Sequence, residues 1–166
     1  MAQKTMTEKD MFLASFDREF QTTQKVLKAY PPQHGELKPS EKSKTARELA
    51  WVLVLNQMVV LPTIAGDLNP GSLPKSPNTW NEVIGAMDNA HREALAKLSQ
   101  LTDDQMNRTI KMPVGPKQMG DVRTADALWL FLNDTIHHRG QLSVYLRIAG
   151  GKLPSIYGPT ADEPWV

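Results

Sequence analysis

The chain has 166 residues, 40% of them apolar and 22% charged, with a formal net charge of +1. That length suits one hydrophobic core and one domain over 1–166, and near-neutrality without a basic block argues against nucleic-acid binding. Cysteine is absent, which excludes disulfides, thiolate metal sites and cysteine nucleophiles.

A first helix is expected after Thr7, where Phe12, Phe16, Phe20, Thr23, Leu27 and Tyr30 recur three and four residues apart as one apolar stripe. Pro31-Pro32 ends it, and the polar stretch 31–42 reads as a loop. A second helix opens with a capping box, Thr45 to Glu48. Its apolar face holds Leu49, Val52, Leu53 and Val60, interrupted by Asn56, and Pro62 and Gly66 end it. Residues 63–77 read as a long surface loop. A third helix opens with the same box, Thr79 to Glu82, and runs through Val83, Met87, Ala90, Ala94 and Leu98. Asp103 and Asp104 suit a short extra turn, and Pro113, Gly115, Pro116 and Gly120 make 110–123 an extended loop or a small hairpin.

The fourth and longest helix runs from about Thr124, taken as its N-cap, to Gly150-Gly151, a pair suited to a left-handed C-terminal cap. The proline-bearing tail from Lys152 to Val166 reads as an extended strap. Four long helices without a strand series predict an all-α four-helix bundle with long crossover loops. No secretory leader pattern opens the chain, and no apolar run approaches the ~20 residues that span a bilayer. A cytoplasmic protein without membrane contact is the expectation.

Helix four carries the chemistry. At about 100° per residue, Asp134 and His138 fall one turn apart on a stripe shared with Ala127, Phe131, Gln141, Tyr145 and Ile148. That stripe is expected to face the core, with His137 at its edge and Arg139 and Arg147 on the far side. Titratable groups among apolar neighbours demand partners, because unpaired burial is costly. Leu128, Trp129, Leu132 and Ile136 lie away from the stripe, so long loops enclose them or a second copy packs there. Gly140 costs about 1 kcal/mol relative to alanine in a helix, which implies a neighbour crossing close by.

The run His137-His138-Arg139-Gly140-Gln141-Leu142-Ser143-Val144-Tyr145-Leu146-Arg147, with the following Gly150-Gly151-Lys152-Leu153-Pro154-Ser155-Ile156-Tyr157-Gly158-Pro159, closely resembles the last helix and tail of DinB-type proteins. Arg47-Glu48-Leu49-Ala50-Trp51 resembles the start of that superfamily's second helix. The resemblance implies a DinB/YfiT-like four-helix bundle, commonly a homodimer. It also implies a divalent metal (nickel, zinc or iron) held by three histidines, one on helix two and a pair at i and i+4 on helix four. Some relatives use such a site with a low-molecular-weight thiol, as transferases or thiol-dependent isomerases. Three neutral imidazoles leave open positions where a metal lowers the pKa of bound water or thiol.

Carried over residue by residue, the helix-two ligand position is Val52, the first of the helix-four pair is Asp134, and only His138 matches. Valine cannot coordinate a metal; aspartate can. Glu48, Asn56 and His91 are the candidates for a replacement ligand. Three functional readings stay open. One is a degenerate metal centre that keeps a small-molecule pocket near His138. Another is a divalent-metal enzyme using Asp134, His138 and a substitute. The last is a dimeric scaffold in which Asp134, bonded to His138, His137 or Tyr145, belongs to a satisfied polar cluster. Asp134 and His138 as a metal-free acid/base pair is a further option. Arg139 is expected to pair with a carboxylate or with carbonyls near the tail, and Gln141 to bond the cluster. His34 is expected in solvent and His91 partly buried in a structural role.

Overall fold

Three of the four long helices start where a threonine hydroxyl accepts from a first-turn amide. In the computed structural model, which describes residues 5–166, α1 spans Glu8–Ala29 behind a Thr7–Asp10 capping box. Helix α2 spans Ala46–Met58 behind Thr45–Glu48. It is followed after Val59 by the short α3, Val60–Ala65, and Gly66 closes the pair in the left-handed region (φ 83°). The interruption follows from Pro62, which has no N–H to offer the Met58 carbonyl. Helix α4 spans Trp80–Leu98 behind Thr79–Glu82, and Thr102–Gln105 caps a five-residue α5, Asp103–Asn107.

Strands β1 (Thr109–Gly115) and β2 (Gln118–Arg123) make an antiparallel hairpin with an irregularity between Pro113 and Gly115. The otherwise helical molecule therefore carries one small two-stranded sheet. Ile110, Met112 and Ala127 bury its inner face against Leu68, Val122 and Phe131. Helix α6, Thr124–Ile148, begins directly after it. Its N-cap is Arg123, not Thr124. The Thr124 hydroxyl donates to the Arg108 carbonyl at 2.8 Å and so ties the helix to the hairpin instead of capping it.

Helix α1 packs against α4 and α6, and so does α2. Two core clusters set the directions. In one, the C-terminal half of α1 (Val26, Leu27, Tyr30) meets the first turns of α2 and α4 and the last turns of α6 (Leu142, Leu146). In the other, Phe12 and Phe16 meet Val60, Ala94, Leu98, Leu128 and Leu132. Hence α1 and α6 run one way while α2 and α4 run the other. Parallel neighbours replace a simple up-and-down order. Residues 66–79 must return along the length of α2, and the Trp51 indole anchors them by donating to the Pro74 carbonyl at 2.9 Å.

Several expectations are corrected. Residues Ala46–Ala65 do form a stretch of spanning length, 20 residues with mean hydropathy 1.6, but 56% of the apolar window is buried inside the bundle, as for a core helix. The buried residues of α6 include Ala127 and Tyr145 of the expected stripe but also Leu128, Leu132, Thr135, Arg139, Leu142 and Leu146, so the core-facing side is centred beyond the stripe, Asp134 and His138 lie at its edge and Arg139 points inward. Leu128 and Leu132 belong to the chain's own core, with Trp129 packed beside them. The apolar residues of α6 left more than half exposed are Leu130, Val144 and Ile148. Among the described residues, no other part of the chain comes within 4 Å of where a methyl on Gly140 would stand, so nothing crosses there. The close approach is at Gly151, against Leu146, Pro31 and the Ala29 carbonyl. There the α6 C-terminus closes as a Schellman motif: Gly150 has φ 76°, and the Gly150 and Gly151 amides donate to Arg147 and Leu146.

Candidate functional site

The i, i+4 pair on α6 meets a side chain from α2. Asn56 Nδ2 donates to Asp134 Oδ2 at 2.8 Å, and His138 Nε2 stands 3.4 Å from the same oxygen. His138 Nδ1 contacts Gln141 Oε1 at 2.9 Å, and Gln141 Nε2 contacts His137 Nε2 at 3.0 Å. The amide oxygen can only accept, so His138 Nδ1 carries a proton, and the amide nitrogen can only donate, so His137 Nε2 is the lone-pair nitrogen. His138 Nε2 thus faces the Asp134 oxygen, donating to it when the ring carries a second proton and presenting its lone pair when it does not, so the space between them suits a proton or a cation. The pair is accessible, with side chains 21% (His138) and 40% (Asp134) exposed. Asn56, by contrast, is buried.

The other sequence candidates separate from this chain of contacts. Val52 is half-buried on α2 and borders a different groove with Glu48 and Lys75. The Glu48 carboxylate accepts from the Thr45 amide at 2.7 Å, which holds it below the ordinary carboxylate range and commits it to capping. His91 is buried rather than partly buried, stacked on Phe16 and Phe20. Its ring bonds Gln57 and Asp17, each at 3.1 Å, and burial lowers its pKa against the opposing pull of Asp17. Tyr145 does not reach Asp134; its hydroxyl donates to the Lys44 carbonyl at 3.1 Å. His34 is exposed, as expected.

A three-histidine metal centre does not fit these residues. Among the described residues, no three His, Asp or Glu side chains converge, and the three groups that do converge are a carboxamide, a carboxylate and one imidazole. Next to them lies a cleft of about 420 Å³. Leu49, Val144 and the Tyr145 ring form its apolar wall, and Lys44, His138 and Gln141 stand at its rim.

A second polar cluster was only half visible in the sequence. Arg139, 1% exposed, meets Glu19 at 2.8 Å and also bonds the Glu19 carbonyl and the Thr23 hydroxyl, each at 3.2 Å. From the tail, the Tyr157 hydroxyl donates to Glu19 at 2.6 Å and accepts from Arg139 at 2.5 Å. Burial pushes the Glu19 carboxyl up, but the hydrogen bonds from Tyr157 and Arg139 together outweigh it and leave the group below its ordinary value. Arg139 therefore has the carboxylate partner expected of it, while its carbonyl contact is on α1 and its tail contact is the Tyr157 hydroxyl. Glu19 carried one overlooked signal: an acidic residue between Phe16 and Phe20 on an apolar stripe.

The DinB family model matches residues 1–165 of the chain. The uncharacterised protein YrdA of Bacillus subtilis is 27% identical over 159 residues, covering 93% of this chain and 90% of that one. The crystal structure of the DinB-like protein YjoA of Bacillus subtilis superposes with a TM-score of 0.72 at 23% identity, covering 88% of this chain and 97% of that one. YfiT of Bacillus subtilis, described as a probable metal-dependent hydrolase with an unusual four-helix bundle topology, aligns with a TM-score of 0.57 at 14% identity, covering 89% and 93%.

Proposed function

The chain belongs to the DinB family, and we propose that it is a member whose metal centre is degenerate and whose cleft beside His138 binds a small molecule. The observation that carries this reading is the Asn56–Asp134–His138 contact chain. Asn56 spends its N–H on the carboxylate, and Val52 supplies no donor where the family resemblance calls for histidine. Two strong donors leave a cation short of the three protein ligands usual at an open catalytic site. The cleft supports retained binding, because an apolar hollow of several hundred Å³ with a few polar groups is the ordinary form of a small-molecule site.

The test is the metal content of protein purified without a polyhistidine tag. Nickel, zinc and iron are expected well below one per chain, and Asn56→His with Asp134→His is expected to create stoichiometric binding, because Asn56 is the α2 side chain that reaches position 134. Stoichiometric metal in the native protein, lost in Asp134→Ala, would overturn the reading.

A second reading, a divalent-metal enzyme, draws on the YfiT description and on the lone pairs of Asp134 and His138 at 3.4 Å. A flip of the Asn56 amide would turn its oxygen toward them as a third ligand. The same assay separates the two readings. A thiol cosubstrate belongs to this second reading alone.

The proposal includes a homodimer through the exposed Leu130 and Ile148 of α6, and a cytoplasmic location. Leu130→Glu with Ile148→Glu is expected to shift the mass measured by light scattering from two chains to one. A native monomer at micromolar concentration would remove this part.

A further inference from the structure

We propose that the cleft beside His138 takes a small amphipathic monoanion, an apolar body ending in one carboxylate, with Lys44 as its counter-charge. This rests on the reading of that cleft as a binding site and names its ligand class. The wall of Pro39, Leu49, Val144 and the Tyr145 ring has no hydrogen bond to give, because the Tyr145 hydroxyl is spent on the Lys44 carbonyl, and the Ser43 hydroxyl beside it pairs with the Ser40 hydroxyl at 3.0 Å. At the rim, Gln141 uses its oxygen on His138 and its nitrogen on His137. Asp134 is tied to Asn56 and His138. The Lys44 ammonium is left over: among the described residues it makes no hydrogen bond or ion pair. The carboxylate it acts on through space, Glu48, is already held by the Thr45 amide.

A cleft of about 420 Å³ lined by Lys44, an exposed residue shared with the groove of Glu48 and able to swing its unspent ammonium to either, selects for a molecule whose apolar portion lies on Val144 and whose single charge ends at Lys44. A cationic ligand would meet Lys44 with like charge, and a strongly polar one would leave its donors unpaired against the apolar wall.

The tag-free protein is titrated with octanoate, octanol and octylamine, followed by amide and imidazole NMR shifts. Octanoate is expected to shift the signals of residues 44–49 and 138–145, and to bind about tenfold more tightly than octanol, the usual worth of one charge-assisted contact. Octylamine is expected to bind most weakly. Lys44→Gln should bring octanoate down to the octanol level, and Val144→Asp, at an exposed position, should abolish binding without unfolding the chain. Equal affinity for octanoate and octanol, tightest binding of octylamine, or octanoate binding unchanged in Lys44→Gln would each overturn the ligand class while leaving a binding cleft. No shift at the cleft with any of the three would overturn both this inference and the binding reading beneath it.

Discussion

Replacing Arg139 with methionine removes the buried cation that Glu19 depends on. Glu19 is 3% exposed, so its carboxylate would be left in the bundle with only the solvent-exposed Arg18 guanidinium at 3.4 Å as counter-charge. Removing one member of a buried pair costs about 3–5 kcal/mol, because the survivor keeps its desolvation penalty. Roughly 4 kcal/mol at pH 7 is expected, or about 10 °C in Tm for a domain of this size. The pH dependence is the sharper test. In the native protein Glu19 lies below its ordinary value of 4.5, so it adds stability above that pH and loses it as pH falls through the folded value. In Arg139→Met burial, the Tyr157 hydroxyl and the longer Arg18 contact at 3.4 Å remain; burial, the largest of the three, raises the group, and the sign reverses: stability is gained as pH falls from 7 toward 5. Urea denaturation followed by tryptophan fluorescence should show the deficit narrowing on acidification. It should largely vanish when Glu19→Gln is added, since an unpaired charge is then no longer buried. A deficit below about 1 kcal/mol, the size of an exposed ion pair, or one independent of pH, would refute the reasoning.

Gly140→Ala should stabilise the chain by about 0.5–1 kcal/mol in the same assay, because a methyl there meets open space and helix propensity improves. Gly151→Ala should destabilise it by about 1–3 kcal/mol through overpacking against Leu146, Pro31 and the Ala29 carbonyl. His91 is held below its ordinary value of 6.5 by burial; native stability should therefore decline as pH falls below about 6.5, where the unfolded chain takes up the proton first. His91→Phe should remove that decline between pH 7.5 and 5.5, and an unchanged slope would show that another group is responsible. Tyr157→Phe, which unties the tail from Glu19 and Arg139, should cost about 1–2 kcal/mol after allowance for water reaching this exposed residue, and should speed amide exchange in the tail segment.

What the sequence made readable was local. Thr45–Glu48 and Thr79–Glu82 announce their helices because both halves of a capping box lie within one turn, and Gly150-Gly151 announces a helix end for the same reason. Asp134 and His138 were paired correctly because i, i+4 spacing alone puts them together. The orientation of α6 was misread because the wheel ranks residues by polarity, and Arg139 counts as polar until its partner is known. That partner, Glu19, is 120 residues away. Asn56 reaches Asp134 across 78 residues, and the direction of α2 relative to α4 depends on a connection that local patterns cannot orient. Gly140 was taken for a contact site on propensity grounds, whereas only the packing distinguishes it from Gly151.

The parallel pairing of α2 and α4 sets a minimum length for what joins them. The 19 residues of α4 rise about 28 Å at ~1.5 Å each, and an extended chain covers that in about nine residues at ~3.3 Å each. The tether over 66–79 thus has only a few residues of slack. Shortening it beyond that margin would leave the later half of the chain unable to dock in its present sense, whereas lengthening it costs little. A tag or a cleavage site belongs there rather than in the turns at the bundle ends.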